Sequence, residues 1–326
     1  MHTALSFAAV TLAEFEAAHR AVKAHAHRTP LLRSRMLSER SGFDVHLKAE
    51  LFQRTGSYKV RGPLNKFRLM DDAARARGVI CSSAGNHAQG VALAAAIHHS
   101  PAVVVMASNA TASKIEATRA YGAEVVLHGL IWDDANAKAQ ELMAERGLTY
   151  IHPFDDRELV AGQGTVGLEI LEDLADVDVI VVPIGGGGLI SGVAMAAKAL
   201  KPSVRIIGVE SSGAPGMQAS VRAGHVVTLD TVDCVIDGLR VKRVGTYNVE
   251  VASRFVDDIV TLPDRDIFDA VTWVMHHCKL VVEGAAAAPV AAILHGLISA
   301  APGARVVAVL SGGNLDLSRF AGGVWN

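Results

Sequence analysis

The amino-acid sequence predicts an α/β fold of two lobes, each an open, mostly parallel twisted sheet with flanking helices. Three observations predict it. Short runs rich in valine and isoleucine alternate with alanine-rich stretches of helical spacing. The strand candidates fall into two groups, one between about Val79 and Ile151 and one from Val177 onward, each able to form its own sheet. The chain has 326 residues, half of them hydrophobic, a size at which one core commonly divides.

In chain order, Thr11 and Glu14 form a T-x-x-E capping pattern before FEAAHRAVKAHAHR, and Pro30 lies past its end, so a helix opens the chain. The strand candidates are VHLKAE, GVICSS, AVVVMA, AEVVLHG, LTYIHPF, VDVIVVPI, VRIIGVE, DIVTLP and ARVVAVLS. Between many of them lie HAQGVALAAAIH, SKIEATRAYG, DDANAKAQELMAERG and GGLISGVAMAAKAL, whose apolar spacing suits helices that cover a sheet. The expected division is a large domain of residues 1–77 and 152–326 and a small domain of residues 78–151, with a cleft between them.

Charge and composition exclude several function classes. With 31 basic against 33 acidic side chains, the chain carries no electrostatic footprint for nucleic acid or an anionic membrane, so a small ligand is expected. The apolar regions are interrupted by Asp178, by glycine clusters or by Pro289, which argues against a membrane span. No signal peptide is evident at the N-terminus. Cys81, Cys234 and Cys278 are widely separated and odd in number, which argues against a disulfide framework and for a cytoplasmic location. The histidine pairs at 98–99 and 276–277 lack metal-ligand spacing, and no metal is expected.

Three segments carry local chemistry. In VIVVPIGGGGLISG a buried strand ends at Ile184, Gly185, Gly186, Gly187 and Gly188 follow, and a helix begins. Bare backbone N–H groups at a helix N-terminus suit a phosphate. Leu189 and Ile190 replace the Lys-Ser/Thr of a triphosphate loop, and a dinucleotide site, though Glu210 ends the next strand, lacks the third glycine of G-x-G-x-x-G. In SSAGNHAQG, after the strand GVIC, small residues at another helix start suit a carboxylate. Ser311 and Gly312 close a further buried strand, at the end where ligands gather in open α/β sheets.

The series GSYKVRG, SAGNHAQG, AGQGTVGLEIL, GGGGLISG, EGAAAA and SGGN resembles the motif series of fold-type II pyridoxal-5′-phosphate enzymes, a tryptophan synthase β-like fold, and within them the serine/threonine dehydratase and serine racemase family. The resemblance spans nearly the whole chain. It implies pyridoxal 5′-phosphate as cofactor, carried covalently by Lys59, with Tyr58 packed beside its ring, Asn86 on the ring oxygen, Ser311 on the ring nitrogen and Gly185 to Gly188 on the phosphate. It also implies that Ser83, Ala84, Asn86 and His87 surround the carboxylate of a small amino-acid substrate, largely through backbone N–H groups. The implied reaction is loss of water from L-threonine, L-serine or a related β-hydroxy amino acid, giving a 2-oxo acid and ammonia, with Lys59 taking the α-proton. A homodimer is implied as well.

Departures from the family narrow this expectation. Ala84 stands where serine racemases resembling this stretch place a serine, and alanine transfers no proton, which favours a dehydratase. Phe154 in HPFDD agrees with dehydratases. Pro215 and Gly216 follow Glu210 where some relatives place a second acid of a divalent-cation site. The chain ends soon after Ser311, so an isoleucine-responsive regulatory domain is not expected. Other readings are a 3-hydroxyaspartate dehydratase, a serine racemase, a β-replacement synthase, disfavoured by SYKVRG, and a non-catalytic cofactor-binding sensor. An acidic substrate requires an extra cation, for which Arg61, Arg157 and Arg240 are candidates.

Overall fold

The computed structural model describes residues 7–315. Its ten strands, in chain order, are β1 (Leu31–Arg33), β2 (Asp44–Ala49), β3 (Val79–Ser82), β4 (Ala102–Met106), β5 (Glu124–Leu127), β6 (Thr149–Tyr150), β7 (Val179–Pro183), β8 (Arg205–Ser211), β9 (Asp258–Leu262) and β10 (Arg305–Leu310). They form a six-stranded sheet of order β1-β2-β10-β7-β8-β9 and a four-stranded sheet of order β5-β4-β3-β6. Every pairing is parallel except β1 with β2.

Parallel strands need covering on both faces, and the alternation of side chains within each strand supplies two apolar faces at once. Val179, Val181, Ile207, Val209, Val306 and Ala308 join one core with the helix Gly284–Leu294. Their neighbours Ile180, Val182, Ile206, Val307 and Val309 join the opposite core with the helix Gly188–Leu200. The smaller sheet is built alike. Val79, Cys81, Val104 and Met106 face the helix Asn86–Ile97, whereas Ile80, Val103 and Val105 face Ala135, Ala139 and Leu142 of the helix Trp132–Arg146.

The opening helix runs over Leu12–Lys23, and its capping box is formed: Glu14 N–H donates to Thr11 Oγ1 at 3.3 Å, and Thr11 N–H to Glu14 Oε2 at 2.8 Å. It stops short of Arg28 because a tertiary contact wins. The His27 N–H donates to Gln53 Oε1 at 2.9 Å and its carbonyl accepts from Gln53 Nε2 at 2.8 Å. Strand β1 escapes sequence detection, being three residues beside Pro30 and paired only along the β2 edge. Among the described residues no helix is long and apolar enough to cross a membrane.

Parallel strands end on the same side of a sheet. The register Leu310↔Ala49 and the adjacency of β10 and β7 therefore bring Ser311 and the glycine run to neighbouring strand ends.

Candidate active site

Lys59 lies in a single 3-10 turn, Tyr58–Val60. The turn is stitched to the end of β10: Tyr58 N–H donates to the Ser311 carbonyl at 3.1 Å, and Ser57 pairs with Gly312 in an antiparallel bridge. From below it is crossed by the helix Asn86–Ile97, so closely that a Cβ on Gly90 would sit 2.5 Å from the Lys59 carbonyl. Lys59 Nζ donates to the Pro153 carbonyl at 2.9 Å. Burial pulls its pKa down to about 8, against the opposing charge of Glu283. Such an amine has a far larger neutral fraction near physiological pH than an ordinary lysine, and in that form it can act as nucleophile and base.

The turn is anchored by a buried ionic cluster beneath it. Arg61 donates through Nε and Nη2 to Glu50 at 2.8 and 2.7 Å, and through Nη1 and Nη2 to Glu169 at 2.7 and 2.9 Å. Lys48 adds a 2.6 Å bond to Glu169. Arg61 is fully buried and committed to these carboxylates. It is therefore no substrate-facing cation, and neither is Arg157, whose guanidinium is held by Glu14 at 2.7 and 2.8 Å and by the Ala8 and Ala9 carbonyls. Arg240 is exposed.

Gly185 to Gly188 form a tight cradle at the start of the helix Gly188–Leu200. Gly187 has φ +97°, a conformation that favours glycine. A Cβ on Gly186 would lie 2.1 Å from the Phe154 ring, and one on Gly185 would lie 2.3 Å from the Gly238 carbonyl. Asn248, which sequence reasoning missed, fixes the loop by donating to the Gly186 carbonyl at 2.8 Å and to the Phe154 carbonyl at 3.0 Å. The first N–H groups of the helix have no intrahelical acceptor, and the Ser191 hydroxyl in its first turn is buried without a partner. A phosphate fits these donors.

Across the cleft, Ser83 and Ala84 follow β3, and Asn86 and His87 open the helix Asn86–Ile97. Gly85 N–H donates to Ser83 Oγ at 3.2 Å. The His87 ring turns away: Nε2 donates to the Ile151 carbonyl at 2.9 Å, and burial pushes the imidazole pKa down to about 3. His87 thus offers the site its backbone. Asn86 Nδ2 donates to Glu283 at 2.8 and 3.0 Å, and its Oδ1 accepts from Asn314 Nδ2 at 2.7 Å. Burial raises the Glu283 carboxyl to about 7. Glu283 and Asn314 lie within EGAAAA and SGGN, yet neither residue stands out there, because the partner that gives each its role is far away in sequence.

Comparison with known proteins decides the family. The profile described as "Pyridoxal-phosphate dependent enzyme" matches residues 22–312. The chain belongs to this family. A member from Thermotoga maritima, named L-threonine ammonia-lyase, is 45% identical over 309 residues, covering 95% of this chain and 77% of its own. The L-threonine dehydratase catabolic TdcB of Escherichia coli K12 is 44% identical over 296 residues, 90% of each chain. Among solved structures, maize serine racemase superposes with a TM-score of 0.93 at 36% identity, covering 97% of both chains. As a fold-type II member, this enzyme uses pyridoxal 5′-phosphate, and the glycine cradle, the unpartnered Ser191 hydroxyl and the depressed Lys59 amine fit that cofactor.

Glu210 belongs to a different environment. Its carboxylate accepts from Met217 and Gln218 N–H at 2.7 and 2.8 Å, and burial raises it to about 7. Among the described residues no cluster of three histidine, cysteine or acidic side chains could hold a metal ion.

Proposed function

We propose that this enzyme is an L-threonine/L-serine ammonia-lyase. It removes water from a β-hydroxy amino acid, and hydrolysis of the product returns that water, so that threonine gives 2-oxobutanoate and ammonia. The observation that carries the reading is the convergence on one cleft of a desolvated lysine, a glycine cradle and a helix start whose second position before the asparagine is Ala84.

When bound, pyridoxal 5′-phosphate supplies the electron sink that draws charge from the substrate α-carbon. The cradle N–H groups of Gly185 to Gly188 hold its phosphate. Tyr58 packs beside the ring, Asn86 serves the ring oxygen and Ser311 the ring nitrogen. The neutral Ser311 hydroxyl does not keep that nitrogen protonated as a carboxylate would, so negative charge at the α-carbon is better relieved by expelling the β-hydroxyl. Ser83, Ala84, Asn86 and His87 orient the substrate carboxylate through the N-terminal amides of the helix Asn86–Ile97. Lys59 takes the α-proton on its own face of the substrate. On the other face Ala84 has no proton to return, which favours elimination over racemisation.

The segment of residues 78–151 acts as the small domain, and residues 1–77 with 152–326 as the large one. The relatives named for threonine support the substrate assignment. The free thiols support a cytoplasmic location, and the family resemblance supports a homodimer.

The test is 2-oxo acid release by the cofactor-loaded protein given L-threonine, L-serine or L-threo-3-hydroxyaspartate, beside Lys59→Ala. Threonine or serine turnover that disappears in the variant is expected. A loaded enzyme that releases no 2-oxo acid from any of the three would refute the lyase reading.

A further inference from the structure

The loop Ile236–Gly238 is wedged between the glycine run and the start of the helix Gly284–Leu294. On one side the Gly238 carbonyl closes on Gly185, where a Cβ would meet it at 2.3 Å. On the other, a Cβ on Gly284 would meet Ile236 Cγ2 at 2.9 Å, and one on Gly238 would meet Ala285 Cβ at 2.7 Å. The residue between Ile236 and Gly238 is Asp237. Its carboxylate is largely exposed and accepts from Lys114 Nζ at 2.8 Å. Lys114 belongs to the helix Ala112–Ala120, which follows β4 of the smaller sheet, so this ion pair ties that helix to the loop beside the glycine run. The charges of Asp237, Lys114 and Lys59 all bear on Glu283, as groups bordering one cleft do.

A substrate with a second carboxylate on its β-carbon needs a free cation close to the site. Arg61 and Arg157 are committed elsewhere. Lys114 borders the cleft, and its charge is already taken by Asp237, which also presents a like charge to an incoming carboxylate. We propose that Asp237 and Lys114 set the substrate's side-chain class: Asp237 occupies the ammonium that a β-carboxylate would use, and so confines the enzyme to uncharged β-hydroxy amino acids. This rests on the lyase reading of the same site.

Two readouts test it. The first is the ratio of kcat/KM for L-threo-3-hydroxyaspartate to that for L-threonine. The second is calorimetric binding of succinate, an unreactive dicarboxylate, to the cofactor-loaded protein, which depends on no turnover. In Asp237→Asn the ratio rises about tenfold or more and succinate binds more tightly, because repulsion is lost and an ammonium is freed. Asp237→Glu retains the wild-type ratio. Asp237→Asn combined with Lys114→Met loses both gains. Loading is checked by the visible absorbance of the bound cofactor, and Asp237→Ser replaces Asp237→Asn if the latter fails to load.

An unchanged ratio and unchanged succinate binding in a loaded neutral variant would make the pair a mere tie between the lobes and overturn the proposal. So would gains that survive removal of Lys114, or failure of both neutral variants to load cofactor, which would make Asp237 part of the cradle. A wild type that turns over none of threonine, serine and L-threo-3-hydroxyaspartate would sink the lyase reading, while the succinate comparison would still decide whether the pair gates a second carboxylate.

Discussion

The Asn86 side-chain amide donates to the Glu283 carboxylate, its Nδ2 lying 2.8 and 3.0 Å from the two oxygens. The bond joins the helix that follows β3 to the residue that precedes the helix Gly284–Leu294, and so links the two sheets across the cleft. Glu283 accepts this bond in a site where desolvation favours its protonated form, and the carboxyl is raised to about 7. A group held between the two protonation states near neutrality makes the link sensitive to pH.

The sign of that sensitivity follows from linkage. In the unfolded chain a glutamate titrates near 4.3, whereas in the folded protein Glu283 titrates near 7. Between those values the folded state holds a proton that the unfolded state has released, so the contribution of Glu283 to stability falls as pH rises through this window. Glu283→Gln removes the titration and keeps an acceptor for Asn86. Urea midpoints of the wild type should therefore decline relative to Glu283→Gln between pH 5 and pH 8. Parallel profiles for the two proteins would contradict the assignment.

The cluster of Arg61, Glu50, Glu169 and Lys48 carries a stability prediction. Arg61→Met leaves two buried carboxylates without their shared guanidinium, and breaking a buried pair from one side costs about 3–5 kcal/mol. Arg61→Lys keeps the charge but loses the fork that serves both acids, and should fall between. Denaturant unfolding measures the order, wild type above lysine above methionine. Equal stability of wild type and Arg61→Met would show that the cluster does not anchor the lysine turn.

Much of this fold was legible because parallel sheets write themselves plainly. Within VDVIVVPI the stretch from Val179 to Ile184 is apolar at consecutive positions, since Ile180 and Val181 face opposite cores, and the four glycines after it signal a backbone approached from several sides. The hidden parts depend on partners distant in sequence. Arg61 read as a cation free for substrate because Glu50 and Glu169 are ordinary acids until the fold brings both onto its guanidinium. Glu283 sits among alanines and reads as a helix cap; its partner Asn86 lies 197 residues away. The β1 strand exists only because β2 offers an edge.

The Lys59 amine makes a kinetic prediction. Burial holds its pKa at about 8, and the neutral amine is the form that condenses with an aldehyde. The rate at which apoprotein takes up pyridoxal 5′-phosphate, followed by the appearance of visible absorbance, should therefore rise with pH and level off above a midpoint near 8. A midpoint above 10, where an unperturbed lysine titrates, would show that desolvation does not act on this side chain.

Phe154 and Gly186 should behave as a coupled pair. A Cβ on Gly186 would overlap the Phe154 ring, its nearest atoms lying 2.1, 2.2 and 2.5 Å away, distances that no packed pair of carbons sustains. The ring has little freedom to retreat, because it stacks edge-on against His152 at 4.7 Å between centroids and its own carbonyl is held by Asn248. Gly186→Ala therefore displaces either the ring or the loop, and a displaced loop turns its N–H groups away from the phosphate. The expected result is an affinity for pyridoxal 5′-phosphate weakened at least about tenfold, equivalent to about 1.4 kcal/mol. Phe154→Ala removes the obstacle, so the double variant should recover part of that loss, a departure from additivity of the size contacting residues show. Cofactor titration of the four proteins gives the coupling directly. If the losses in Gly186→Ala and Phe154→Ala simply add, the ring is not what the glycine accommodates.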